Sequence, residues 1–203
     1  MSTTDNIDRP SALAIDPMAL LKAMRPLQWV KNGLVFLPFV FAVDVAWSTD
    51  DLGPVPGLLL DLLLVALAFC ALSSAVYLLN DLMDRTGDRR HPVKRNRPIA
   101  SGKVSVPMGA VVMLLLAAGG LAVMVLVEPL LGVAGGLYAL INISYSLVLK
   151  QVVLLDVFSV TSGYVIRAVA GAVAIDVTPS PWLYATTGLP GPAWLPRPDP
   201  GAG

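Results

Sequence analysis

GLLLDLLLVALAFCALSSAVYLLNDLMDRTGD, residues Gly57 to Asp88, runs from a long apolar stretch into a cluster of acids without a turn signal between them. The 23 residues from Gly57 to Leu79 carry one charge, Asp61. As a helix they reach about 34 Å, enough for a hydrocarbon core of ~30 Å. If the helix continues, Asn80, Asp84 and Asp88 fall at i, i+4 and i+8 on one face, with Asp81 flanking it. Three carboxylates and an amide stacked at a membrane boundary repel one another unless a cation is present. Oxygen donors without His or Cys suit Mg2+ rather than zinc or copper, and Mg2+ held by a few carboxylates keeps positions open for phosphate oxygens. Asn80, Asp81, Asp84 and Asp88 are therefore the expected metal ligands, and Asp81, Asp84 and Asp88 the expected catalytic carboxylates. The bland alternative is a solvated acidic helix end.

The rest of the chain agrees with a membrane setting. Of 203 residues, 56% are hydrophobic and 14% charged, where a soluble domain carries about 25% charged residues. That balance excludes a water-soluble globule and, more strongly, a disordered chain. Fourteen basic residues cancel fourteen acidic ones, so net charge identifies no partner, and no nucleic-acid partner is expected. Cys70 is the only cysteine and His91 the only histidine, which excludes a disulfide framework and a Cys- or multi-His metal site. The chemistry must come from Asp, Asn, Lys and Arg.

Five stretches approach spanning length: Gly33 to Trp47 (if its helix starts near Leu27), Gly57 to Leu79, Met108 to Val127, Leu130 to Leu149, and Val153 to Ile175. Glu128 and Pro129 alone separate the third from the fourth, as in a tight helical hairpin. The expected fold is an all-α transmembrane bundle. Its parts are a cytoplasmic tail and amphipathic lead-in (1–32), the bundle (33–176) with a polar loop at 80–107, and a Pro/Gly-rich tail (177–203) that cannot form a further span. The N-terminus lacks the layout of a signal peptide. Lys and Arg cluster before the first span (Arg9, Lys22, Arg25, Lys31) and in the 80–107 loop, with Lys150 between the fourth and fifth; the intervening loops have none. This places the N-terminus and the 80–107 loop in the cytoplasm, in a multi-pass protein of the bacterial inner membrane.

Behind the acids comes RRHPVKRNRPIASGK, residues Arg89 to Lys103. Acids that hold a metal are followed by bases that can hold phosphate, with arginine as a bidentate fork and lysine as a point charge. Two Xaa-Pro steps and a Ser-Gly keep the segment from being one helix, so it can fold as a cap. Arg90, His91, Lys94 and Arg97 are the expected phosphate-binding side chains. By itself the cluster reads more readily as an orientation-setting basic loop; coupled to the acid motif, it reads as phosphate-binding.

NDLMDRTGD resembles the first Asp-rich motif of the UbiA-type intramembrane prenyltransferases. RPLQWVKNGLVFLP (25–38), YLLNDLMDRTGDRRHPVKRNRPIASG (77–102), SYSLVLKQVVLLDV (144–157) and GYVIRAVAGAVAI (163–175) look, within that superfamily, like the decaprenyl-phosphate phosphoribosyltransferases. The resemblance covers roughly Lys22 to Trp182. It implies a bundle of nine helices, about five of them present here, around a cavity open to the cytoplasm. It also implies Mg2+-dependent transfer of 5-phosphoribose from phosphoribosyl diphosphate to a polyprenyl (decaprenyl) phosphate, making a cell-wall arabinan precursor. The family's second Asp-rich motif is absent, and a Pro/Gly tail stands where further apolar helix is expected, so the chain reads as C-terminally truncated. Two rival readings stay open: prenyl transfer to an aromatic acceptor of a quinone or haem pathway, and an inactive membrane fragment. A homo-oligomeric assembly is compatible with either.

Four further residues are expected to touch substrate. Lys31, Tyr145 and Lys150 lie at the cytoplasmic ends of spans, on the motif side. Arg167 sits mid-span, where an ionisable residue is costly and functional by default. The small residues from Gly163 to Ala174 offer a surface for close helix packing.

Overall fold

The computed structural model describes residues 16–146 and 153–178, the side chains of 153–158 excepted. Among them the fold is all-α, with one isolated bridge, Val43 to Trp47, in place of any sheet. The helices are α1 (Pro17–Met24), α2 (Leu37–Phe41), α3 (Val55–Met83), α4 (Arg85–Arg90), α5 (Val106–Val127), α6 (Pro129–Ser144) and α7 (Val153–Ala174). A 3-10 segment, Pro26–Phe36, links α1 to α2, and a short 3-10 turn, Lys94–Asn96, follows α4.

α1 starts where Asp16 accepts hydrogen bonds from the N–H groups of Met18 and Ala19, with Pro17 in the first turn. It stops at Arg25 because a proline follows and disfavours helical backbone before it. Arg25 takes the left-handed conformation instead, φ 54°, a strain of ~1–3 kcal/mol for a residue with a side chain. The 11 residues of the 3-10 segment then rise about 22 Å at ~2.0 Å each, and α2 adds about 7 Å. The segment from Pro26 to Phe41 thus reaches ~30 Å with fewer residues than an α-helix needs. The first apolar stretch was expected to run on to Trp47; instead the chain turns back at Asp44 (φ 63°). Trp47 stacks on Phe39 at 5.0 Å and donates its indole N–H to the Phe39 carbonyl.

α3 is the hub. Leu62, Val65, Phe69, Leu72 and Leu78 on it are fully buried, packed by α5, α6, α7 and the 3-10 segment. Its 29 residues span about 43 Å, longer than a hydrocarbon core, so the turn that carries Asn80 and Asp81 projects beyond the apolar layer. α5 lies against it at close range: a Cβ on Gly120 would stand 3.0 Å from the Ala68 carbonyl. Glu128 is extended (φ −157°) and joins α5 to α6 directly, the expected hairpin. On α7, Ala168, Ala170 and Ala172 are buried, and Gly171 lets the helix backbone meet the backbone of Val35. Among the described residues α3 and α5 are the helices long and apolar enough to cross a membrane; α6 and residues 159–174 of α7 are shorter apolar helices. Residues 147–149 of the expected fourth span and the tail from residue 179 lie outside the described residues.

A second, smaller core sits at the acid end of α3. Ala19 and Ala23 of α1 pack with Leu78, Ile99 and Val104, so the lead-in helix and the segment after the acids close over the same end of the hub.

Candidate functional site

The helix expected to run unbroken through the acids bends at Asp84, which ends α3 and begins α4. The backbone bonds survive the bend: Asp84 N–H donates to the Asn80 carbonyl and Asp88 N–H to that of Asp84. The inward face belongs to Asp81 and Asp88, seven residues apart and both almost wholly buried, at 2% and 4% exposure. Asn80 and Asp84 are half-buried beside them.

Two buried carboxylates demand counter-charge, since an uncompensated one costs several kcal/mol (~3–5). Arg97 supplies it to both: its Nη1 lies 2.8 Å from Asp88 Oδ2 and 3.3 Å from Asp81 Oδ1. Arg25 supplies a second cation, its Nη2 3.0 Å from Asp81 Oδ1 and its guanidinium 4.6 Å from the centre of the Tyr77 ring. The strained backbone at Arg25 thus sits where its side chain enters the site. The basic segment does fold back over the acids. Ile99 is fully buried and Ala100 nearly so, and Arg89 Nε donates to the Ala100 carbonyl at 2.9 Å. Behind this strap, Arg97 is extended (φ −62°, ψ 144°) and reaches inward.

The other predicted phosphate-binding residues are exposed on the outer side of the turn: Arg90, His91 and Lys94. His91 shapes that turn, its Nδ1 accepting from the N–H groups of Val93 and Lys94. Lys31 is half-buried on the 3-10 segment, and Tyr145 is half-buried at the end of α6. Lys150 lies outside the described residues.

Among the described residues no three acidic, Cys or His side chains gather closely enough to hold a metal ion; Asp81 and Asp88 are drawn to arginine instead. The donor chemistry nevertheless fits a hard cation, because all the oxygens expected to bind it stand at this bend and one is orphaned. Asn80 Oδ1 is buried without a hydrogen-bond donor. Across the bend, Arg85 Nε is a buried donor without an acceptor.

Arg167 lies elsewhere. It is 6% exposed and donates from Nε to Asn32 Oδ1 (2.7 Å), from Nη1 to the Gly163 carbonyl (2.7 Å) and from Nη2 to the Tyr138 hydroxyl (3.1 Å). Its guanidinium faces the rings of Tyr138 and Phe69. Asn32 in turn donates to Cys70 Sγ, so this network stands at the level of Cys70, roughly 16 Å along α3 from Asp81. It is not brought to the acids. Two participants carried no local signal. Arg25 read as a lead-in charge, and Tyr138 as one aromatic in an apolar run.

Comparison with known proteins gives the family of this fold. The UbiA prenyltransferase family matches residues 35–196. The decaprenyl-phosphate phosphoribosyltransferase of Mycolicibacterium smegmatis is 36% identical over 166 residues, covering 81% of this chain and 50% of the relative. The protein of the same name from Mycobacterium tuberculosis is 34% identical over 179 residues, 88% of this chain and 57% of its own. The nodulation protein NoeC of Azorhizobium caulinodans is 36% identical over 167 residues, 82% and 51%. The chain spans about half the length of the curated relatives it matches.

Proposed function

The chain belongs to the UbiA prenyltransferase family, and from that premise we propose that it carries the donor-binding half of a Mg2+-dependent intramembrane phosphoribosyltransferase. The donor is phosphoribosyl diphosphate and the acceptor a polyprenyl (decaprenyl) phosphate, at the cytoplasmic face of a multi-pass membrane protein. One observation carries the reading: the basic segment is strapped onto the same bend as the acids, with Arg97 against Asp81 and Asp88. A donor with a diphosphate and a 5-phosphate needs cation ligands and phosphate ligands side by side.

In this reading the C1–O bond to the diphosphate breaks as a lipid phosphate oxygen bonds to C1. A phosphate monoester is already a nucleophilic anion at neutral pH, so no strong general base is needed. Asn80, Asp81, Asp84 and Asp88 would hold Mg2+, which when bound supplies charge to the departing diphosphate. Arg97, Arg90, His91 and Lys94 neutralise the donor's phosphates from the aqueous side. Lys31, Tyr145 and Lys150 are assigned in this reading to the lipid phosphate, and Arg167 joins the 3-10 segment to α6 and α7.

The test is transfer of labelled ribose 5-phosphate from phosphoribosyl diphosphate to polyprenyl phosphate, in membranes carrying the chain and, in parallel, the Mycolicibacterium smegmatis relative. Labelled lipid that disappears in Asp84→Asn supports the reading. Lys94→Ala, on the exposed turn, should weaken donor binding by roughly ten- to a hundredfold. Because a nodulation protein is as similar as the phosphoribosyltransferases, aromatic acids are offered as acceptors in the same assay. Prenylation of one of them, with no labelled lipid phosphate, rejects the proposal for the aromatic-acceptor reading. Donor binding without transfer by this chain, while the relative turns over, identifies a binding-competent but inactive fragment.

A further inference from the structure

The acid pair is neutral as it stands. Asp81 and Asp88 contribute two negative charges to the ion pairs at the bend, and Arg25 and Arg97 two positive ones. A divalent cation placed alone between these two carboxylates would add two positive charges to ion pairs that are already balanced, which is unfavourable where both carboxylates are buried. A divalent cation entering with a phosphate-bearing anion would not, provided one arginine is released to the anion.

Arg97 is the arginine that can be released. It bridges both carboxylates and is 28% exposed against 2% and 5% for them, whereas Arg25, though 35% exposed, is held by the Tyr77 ring as well as by Asp81. The backbone beside it is anchored by Ile99 in the smaller core and by the Arg89 bond to Ala100. A rotation of the Arg97 side chain therefore frees Asp88 from its ion pair and leaves Asp81 with Arg25 alone, without opening the strap, a motion of the fast, local kind. Arg25, fixed over Tyr77 and bonded to Asp81, stays. The two orphaned atoms flanking Asp84 complete the picture: Asn80 Oδ1 lacks a cation or donor, and Arg85 Nε lacks an acceptor. A cation alone would satisfy the first, and a cation with an anion both.

We propose that Arg97 is the resident counter-cation of the Asp81–Asp88 pair, and that a divalent cation enters this site only together with a phosphate-bearing ligand that takes Arg97 over. This rests on the metal-site assignment above and adds an order to it: the arginine competes with the metal and cooperates with the phosphate.

The consequence runs against the usual effect of removing a ligand-binding arginine. In the detergent-solubilised chain, Mn2+ alone is titrated by electron paramagnetic resonance, and retention of labelled inorganic pyrophosphate is measured with and without Mn2+. Wild type should bind Mn2+ alone weakly, and Arg97→Ala about tenfold more tightly. Arg97→Lys, which keeps the charge, should resemble wild type. Pyrophosphate should be retained by wild type only when Mn2+ is present, and less well by Arg97→Ala. Arg97→Gln repeats the measurement with more of the packing kept, and circular dichroism reports whether each variant is folded. Equal or weaker Mn2+ binding in Arg97→Ala and Arg97→Gln, with Asp88→Asn abolishing it, overturns the exchange while leaving the metal site standing. Mn2+ binding that Asp88→Asn does not alter, or none in any variant, overturns the metal site and the exchange with it.

Discussion

Arg167 on α7 donates through Nε to Asn32 Oδ1 at 2.7 Å, joining residues 135 positions apart in the chain. The bond ties the 3-10 segment to the last described helix. The same guanidinium reaches α6 through Tyr138, so one buried cation fastens three elements. No carboxylate pairs with it among the described residues. Its charge is instead spread over an amide, a carbonyl, a hydroxyl and two aromatic faces.

Arg167→Lys should therefore destabilise the protein despite keeping the charge. An ammonium cannot reproduce three diverging donors, and hydrogen bonds to charged groups are worth ~1.5–3 kcal/mol each. A loss of roughly 2–4 kcal/mol is expected as a lowered thermal midpoint of the solubilised chain. An unchanged midpoint would show that the fork is not what fastens the three elements.

Gly171→Ala should be worse than its size suggests. Its methyl group would meet the carbonyl of Val35, which is backbone and cannot rotate away. The cost belongs at the upper end of the ~1–3 kcal/mol typical of overpacking. Gly136→Ala on α6 is the control: nothing lies within 4 Å of its new methyl, and helix propensity favours the change by up to ~1 kcal/mol. Thermal stability measured side by side should separate the two.

Ile99→Ala removes the anchor of the basic strap. Ile99 is fully buried between α1 and α3, and truncating such a side chain costs about 2–5 kcal/mol. Because it belongs to the smaller core, the loss should appear locally, as faster trypsin cleavage after Lys94 and Arg95 with the bundle intact. Simultaneous cleavage throughout the chain would mean the two cores unfold together.

The orientation is tested with an impermeant thiol reagent in a Cys70→Ala background. Ser101 is the better site for the probe cysteine than Gly102, because Gly102 has φ 84° and resists a side chain. Ser101→Cys should react only after the membrane is permeabilised, and Asp50→Cys in intact cells. The reverse pattern would invert the topology.

Much of this architecture is written in local sequence. Helices α3, α5, α6 and α7 each fall on an apolar run readable from composition, and the Glu128-Pro129 hairpin on its turn signal. The acids after Leu79 and the bases after Asp88 were legible as a candidate site because their spacing is short, and the fold brings Arg97 against Asp81 and Asp88. The 3-10 winding of Pro26–Phe36 was not, since the same apolar residues serve a helix of either pitch.

The ion pairs lay further out of reach. From sequence alone, Asn80, Asp84 and Asp88 share a face; in the fold, the acids turned inward are Asp81 and Asp88, because Arg97 and Arg25 meet them there. Arg25 lies 56 residues from Asp81 and Asn32 lies 135 from Arg167, separations that no periodicity encodes. The sequence by itself determined which segments leave water and which residue types gather at their ends, since transfer free energy and helix repeat are properties of neighbours along the chain. Only the tertiary structure decided which cation neutralises which buried acid, because that choice depends on where packing brings distant backbones together.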